Sequence, residues 1–268
     1  MQHLINIGNF TIECFDDENH SKPLLLAFNG YGRPANDFLA CDLGSKYNVV
    51  AVNLPFHGNS TYQAPETLPD FTYNHLKILI NKILESKARQ RFSVLGYSMG
   101  GRICLAIIEL FAEHIDSAYL FAPDGVKLSR WYKMSKFTIG RSILRLLIDY
   151  PTVFFKFAGL VRKAKLINDR KYKFVMLQMS SESKRMQVFN IWITFRNLIP
   201  SMKNVRQKVL QHNINLHVFF CKYDGVIKAK FSRRLINAEL AHTLHILDTG
   251  HNITPKQMND WIDAYDRK

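Results

Sequence analysis

Apolar positions along the chain fall into two rhythms. Short runs rich in apolar residues occur at 23–28, 47–54, 92–95, 118–121, 214–221 and 242–247, the first of them continuous, and glycine, proline or asparagine punctuates them. Short runs of this kind are the signature of strands in a largely buried parallel sheet. Two further β-like runs, Leu4 to Ile7 and Phe10 to Phe15, flank Gly8-Asn9 and read as a hairpin. Between the strands the apolar spacing becomes helical. Thr72 to Ala88 carries Leu76, Leu79, Ile80, Ile83 and Leu84 on one face, and helices are also predicted from about residue 99 to His114, over Lys228 to Ala238 and over Thr254 to Tyr265, with a weak one over Asn36 to Lys46. From Arg130 strands vanish, and amphipathic runs follow at 137–150, 152–166, 173–180, 183–198 and 202–211. The pattern predicts an α/β fold with a mostly parallel central sheet flanked by helices and a helical cap inserted after the sixth strand. Residues 1–125 and 213–268 would form the core, and 126–212 the cap.

Candidate chemistry centres on Gly96-Tyr97-Ser98-Met99-Gly100-Gly101, between an apolar strand and an apolar-periodic helix. Gly-x-Ser-x-Gly in that setting is a nucleophile elbow, where small residues two before and two after the serine let strand and helix approach closely. A serine hydroxyl needs a base to take its proton, and the base needs a carboxylate to hold its tautomer. His251, in Asp248-Thr249-Gly250-His251-Asn252 directly after the last strand, has the placement expected of the base. Two acids share a local sequence: Asp224 in Tyr223-Asp224-Gly225-Val226, and Asp124 in Pro123-Asp124-Gly125-Val126. Asp224 is the first choice, because Asp-Gly followed by apolar residues and a basic helix start is the usual setting of the acid; Asp124 is the second, otherwise a turn or hinge residue. The developing oxyanion would be held by the backbone amides of Met99 and Tyr31, the latter in the glycine loop Asn29-Gly30-Tyr31-Gly32.

With these parts in order, the chain resembles the α/β-hydrolase fold superfamily over nearly all its length outside the insertion. Asn29-Gly30-Tyr31-Gly32 is similar to that family's His-Gly oxyanion loop, with asparagine in place of histidine. Pro55-Phe56-His57-Gly58-Asn59-Ser60 is similar to its Pro-Gly-His-Gly-x-Ser loop, with Phe56 in place of glycine, which makes His57 a structural loop residue rather than a base. The elbow resembles those of capped esterases, thioesterases and the menaquinone-pathway cyclohexadiene-carboxylate synthase.

Composition adds limits. With 268 residues, 47% of them apolar and 22% charged, the chain can bury a full core. The net charge of +14 is concentrated: residues 126–212 hold 19 Lys and Arg against three acids, and the remainder is close to neutral. That concentration argues against nucleic-acid binding by the whole protein. Three readings of the basic segment stay open: an anionic acyl substrate, peripheral docking on an anionic membrane, or a solvated face with no specific partner. Its apolar residues, among them Phe137, Ile143, Leu146, Leu147, Val153, Phe154, Phe155, Phe157, Trp192 and Phe195, are expected mostly to pack, with a minority lining a pocket. Cys14, Cys41, Cys104 and Cys221 are scattered without metal-ligand spacing and read as buried free thiols, and the first residues show no export signal, so a cytoplasmic protein is expected.

These features predict a serine hydrolase acting on an ester or thioester of a hydrophobic acyl group, with no metal or organic cofactor. Two alternatives remain. One is elimination chemistry at the same three residues, for which Arg102, Arg141, Arg145 and Arg196 could supply carboxylate binding. The other is a catalytically silent binding protein on this fold.

Overall fold

Strand and helix signals resolve into one sheet in the computed structural model, which describes residues 1–40, 42–64, 66–128, 130–167 and 169–266. The strands are β1 (Gln2–Ile7), β2 (Phe10–Asp16), β3 (Leu24–Phe28), β4 (Asn48–Val52), β5 (Thr61–Tyr62), β6 (Phe92–Tyr97), β7 (Ile115–Phe121), β8 (Asn215–Cys221) and β9 (Leu244–Leu247). They lie in the order β1-β2-β4-β3-β6-β7-β8-β9, with the two-residue β5 paired to β2. The first two form the antiparallel hairpin expected at Gly8-Asn9, and β2 meets β4 antiparallel. From β4 to β9 every pairing is parallel. All five residues of β3 and all five of β4 are buried, which explains the unbroken apolar run of β3 and the apolar stretch after Asn48 in β4.

The helices are α1 (Tyr73–Ser86), α2 (Met99–Phe111), α3 (Arg130–Met134), α4 (Thr138–Asp149), α5 (Pro151–Lys163), α6 (Asp169–Gln178), α7 (Glu182–Thr194), α8 (Met202–Gln211) and α9 (Pro255–Asp266). Thr72 caps α1 in a reciprocal arrangement with His75, and the helix buries the five apolar residues read from its spacing. One face of the sheet, built from alternate residues such as Leu25, Val49, Leu95, Phe121 and Phe219, packs with Phe38 and with Met258 and Ile262 of α9. Against β3, β6 and β7 lies α2, buried almost all round.

The chain divides into two compact units. The first, Met1–Gln63, Phe71–Lys127 and Leu198–Lys268, holds the whole sheet. The second consists of Leu128–Asn197 and a short strap, Ala64–Asp70, which Arg196 and Asn197 hold through Pro69 O and the Asp70 carboxylate. This division differs from the 126–212 read in the sequence, because α8 packs on α2 within the first unit and buries Val205 and Val209 there.

The second unit has a small core, Ile148, Met179, Phe189 and Ile193, joined by Leu144, Phe154 and Phe155. Here the sequence expectation needs correction: Phe137, Ile143, Leu146 and Val153 are exposed rather than packed. Apolar residues lie on more than one face of α4 and of α5, and the core receives only one face of each. Two helices also shrink. Lys228 to Ala238 forms only a 3-10 stretch, Ala229–Arg234, and beyond it Asn237 accepts from the Leu240 amide in a turn. The weak helix at 36–46 is a pair of 3-10 stretches, Ala35–Ala40 and Asp42–Ser45. Cys14, Cys104 and Cys221 are buried free thiols, and Cys41 lies outside the described residues.

Candidate active site

The elbow explains its own glycines. Ser98 sits between β6 and α2 at φ 52° and ψ −110°, a left-handed conformation that costs a non-glycine residue about 1–3 kcal/mol and persists only where its surroundings enforce it. A Cβ on Gly96 would lie 2.6 Å from Gly100 O and 2.7 Å from Cys104 Sγ, and one on Gly100 would run into Phe28 O. Only glycine lets α2 start this close to β3 and β6.

Ser98 Oγ lies 3.2 Å from His251 Nε2, and His251 Nδ1 lies 2.6 Å from Asp224 Oδ2. The other Asp224 oxygen accepts from the Val226 and Ile227 amides at 2.6 and 2.8 Å, so the tight Asp-Gly turn itself aims the carboxylate. Asp124 has a different neighbour. Its Oδ2 pairs with Arg102 from the first turn of α2, its Oδ1 accepts from the Gly125 amide, and its own amide donates to Ser98 O at 2.8 Å.

The loop after β3 lies against the serine: a Cβ on Gly30 would come within 3.2 Å of Ser98 Cβ. Among the described residues the Tyr31 and Met99 amides donate to no protein acceptor. Asn29, where the resembling loops carry histidine, braces this loop by accepting from the Gly30 amide at 2.9 Å and donating to Pro34 O at 2.7 Å. His57 braces it from below: its Nε2 accepts from the Gly32 amide at 3.0 Å while Nδ1 donates to Pro55 O at 3.2 Å. Acceptance at Nε2 requires the neutral ring, and burial lowers its pKa, outweighing the bond to Pro55 O. Phe56, standing where the related loop has glycine, holds φ 65°.

Several site residues had no sequence motif to announce them. Arg33, at the end of the glycine loop, donates Nη1 to Ile253 O at 2.5 Å and Nη2 to Asn252 Oδ1, and its guanidinium stands 4.9 Å over the Tyr97 ring. Tyr97 donates its hydroxyl to His251 O at 2.5 Å, and burial raises its phenol pKa, so it stays a donor. Arg33 and Tyr97 together clamp the backbone of the histidine loop. Glu13 of β2 takes Asn53 Nδ2 and the Asn59 amide on one oxygen, 2.6 and 2.9 Å, and Asn59 Nδ2 on the other, 2.6 Å. Burial alone would raise its pKa, but these bonds outweigh it and hold the carboxyl below its ordinary value. A glutamate inside the apolar run of β2 was the one available sequence signal for this brace. The thiols near the site are not poised to react: burial, with Asp224 adding to it, pushes Cys221 up to about 12, and burial raises Cys104 too.

The four arginines considered for carboxylate binding are engaged. Arg102 meets Asp124, Arg145 meets Asp149, Arg196 meets Asp70, and Arg141 donates to Lys136 O and Thr138 Oγ1.

Comparison with known proteins agrees with this architecture. A curated relative, a serine hydrolase-like protein of Danio rerio, is 26% identical over 109 residues, covering 40% of this chain; the match spans about a third of that relative, 32% of its length. Among solved structures, the esterase RhEst1 from Rhodococcus sp. ECU1013 superposes with a TM-score of 0.62 at 16% identity, covering 100% of this chain and 97% of that one. The thioesterase domain from the curacin biosynthetic pathway superposes at 0.63 and 14% identity, covering 98% of each. The family model for the alpha/beta hydrolase fold matches residues 27–166, more than half of the chain, from the strand before the glycine loop through the elbow and into the inserted helices. With its parallel sheet, its serine elbow and that match, the chain belongs to the alpha/beta hydrolase fold family.

Proposed function

We propose that the protein is a serine hydrolase that cleaves a carboxylic ester or thioester of a hydrophobic acyl group through an acyl-enzyme. The observation that carries this reading is the continuous relay from Ser98 Oγ through His251 to the buried Asp224 carboxylate. His251 Nε2 takes the Ser98 proton as Oγ attacks the substrate carbonyl carbon. Asp224 holds Nδ1–H and stabilises the imidazolium that forms. The tetrahedral oxyanion is received by the Tyr31 and Met99 amides, and each such donor stabilises it by about 3–4 kcal/mol. Collapse expels the alcohol or thiol, which leaves with the proton from His251. Water then attacks the acyl-enzyme as His251 takes its proton, and when the carbonyl carbon–Oγ bond breaks that proton passes to Ser98 Oγ and the carboxylic acid is released.

The engaged arginines give elimination chemistry no support of its own. Treatment with a fluorophosphonate should label wild-type protein at Ser98 and leave Ser98→Ala unlabelled. Wild type that takes no label would refute the reading. A series of p-nitrophenyl esters and acyl thioesters of graded length should then show turnover that rises with chain length.

A further inference from the structure

In the inserted unit, α4 carries Ile139, Ile143 and Leu146, followed by Tyr150, on an exposed stripe at spacing i, i+4, i+7, i+11. The next helix, α5, repeats the device with Val153, Phe157 and Leu160. These are one-sided helical faces, and they are distinct from the residues that build the unit's core, Leu144, Ile148, Phe154 and Phe155. The exposure is large: Ile139 is 77% and Leu160 65% accessible. Monomeric soluble domains seldom expose apolar side chains in such runs without something to cover them.

The charges around the stripes narrow what the cover is. Lys156 and Lys163 lie within one helical turn of Leu160, are exposed, and form no ion pair among the described residues. Residues 128–197 as a whole carry 15 Lys and Arg against three acids. A second copy of this surface would meet it with like charge. Nucleic acid would match the charge but leave isoleucine, leucine and valine without a partner. An anionic phospholipid surface satisfies both: apolar side chains enter the acyl boundary, while lysine stems bury and their ammonium groups reach the headgroups.

We propose that the exposed stripes of α4 and α5, with Lys156 and Lys163 beside the second, form a peripheral docking surface for an anionic lipid membrane. Among the described residues no helix is long and apolar enough to cross one, so the attachment is interfacial and reversible. It is independent of the hydrolase reading, and the two fail separately.

The test is co-sedimentation of the full chain with large unilamellar vesicles, either pure phosphatidylcholine or phosphatidylcholine with one third phosphatidylglycerol. The protein should partition onto the phosphatidylglycerol vesicles and much less onto the neutral ones, and raising salt from about 0.05 to 0.5 M should release most of it. Ile139→Ser with Leu160→Ser should lower the partition coefficient by about tenfold or more, because both side chains leave the acyl region. Lys156→Glu with Lys163→Glu should lower it by at least about fivefold for each lysine lost. These positions are solvent-exposed, so thermal melting and fluorophosphonate labelling of Ser98 should match wild type in both variants. Equal binding to neutral vesicles, no binding to anionic ones, unchanged binding by the serine variant, or displacement onto polyuridylic acid in preference to vesicles would each overturn the proposal.

Discussion

Two loops of this protein begin alike and end in different company. Asp124-Gly125-Val126 follows β7, and Asp224-Gly225-Val226 follows β8, the neighbouring parallel strand. Both loops leave their strands at the same edge of the sheet. Asp224 has a side chain that is 0% accessible and meets His251, whereas the Asp124 side chain is 28% accessible and meets Arg102. The difference comes from what lies next door. His251 arrives from the loop after β9, and β8 is the strand paired with β9. Beside the Asp124 loop lies the first turn of α2, which presents Arg102. The same three residues thus close different turns, Asp224 accepting from the Val226 and Ile227 amides and facing His251, Asp124 accepting from the Gly125 amide and pairing with Arg102 beneath the elbow.

The most direct way to break this comparison is to neutralise each acid in turn. Asp224→Asn should lower kcat by about four orders of magnitude, as loss of the tautomer-holding carboxylate does in such relays. Asp124→Asn should cost less than about tenfold, the loss expected from removing one charge-assisted contact at the edge of a site. Steady-state kinetics on a p-nitrophenyl ester reads both, and a reversed order would reassign the acid.

The clamp on the histidine loop sharpens the same contrast, because it acts on the Asp224 side alone. Arg33→Ala removes two charge-assisted bonds to residues 252 and 253, so kcat should fall by about 10–100-fold with KM little changed. Added methylguanidinium should restore part of the loss. A KM effect without a kcat effect would count against positioning.

The smallest effect concerns the brace under the glycine loop. His57 has a folded pKa below the ordinary histidine value of about 6.5, so the unfolded chain binds a proton more readily than the native one. Its contribution to stability is therefore complete above that value and is lost as pH falls toward the folded pKa. His57→Gln keeps an acceptor for the Gly32 amide and removes the titration. Its melting temperature should decline less than that of wild type between about pH 6.5 and 5. Parallel declines in the two proteins would assign the pH dependence elsewhere.

Much of the fold was legible because the physics behind it is local. A strand buried on both faces is mostly apolar along its length, and a helix with one buried face must repeat every three to four residues. The runs at β3, β4 and β6 and the spacing of α1 therefore translate directly into structure. The predicted strands all formed, whereas the helix expected over 228–238 shortened to the 3-10 stretch at 229–234, beyond which Asn237 accepts from the Leu240 amide. The inserted helices were readable as helices, but which of their apolar faces would be covered was not, since both faces satisfy the same periodicity.

Sequence alone determined the succession of strands and helices along the chain, the glycine-bounded serine and the late histidine, because each depends on residues within a few positions of itself. Tertiary structure decided which aspartate faces His251, that Arg33 ties the glycine loop to Ile253 across 220 positions, and that Glu13 braces the loop bearing Asn53 and Asn59. Such partners are set by the stacking order of strands and by where distant loops meet. The residues after each turn favour Asp224, and the pairing of β8 with β9 is what brings its carboxylate to His251.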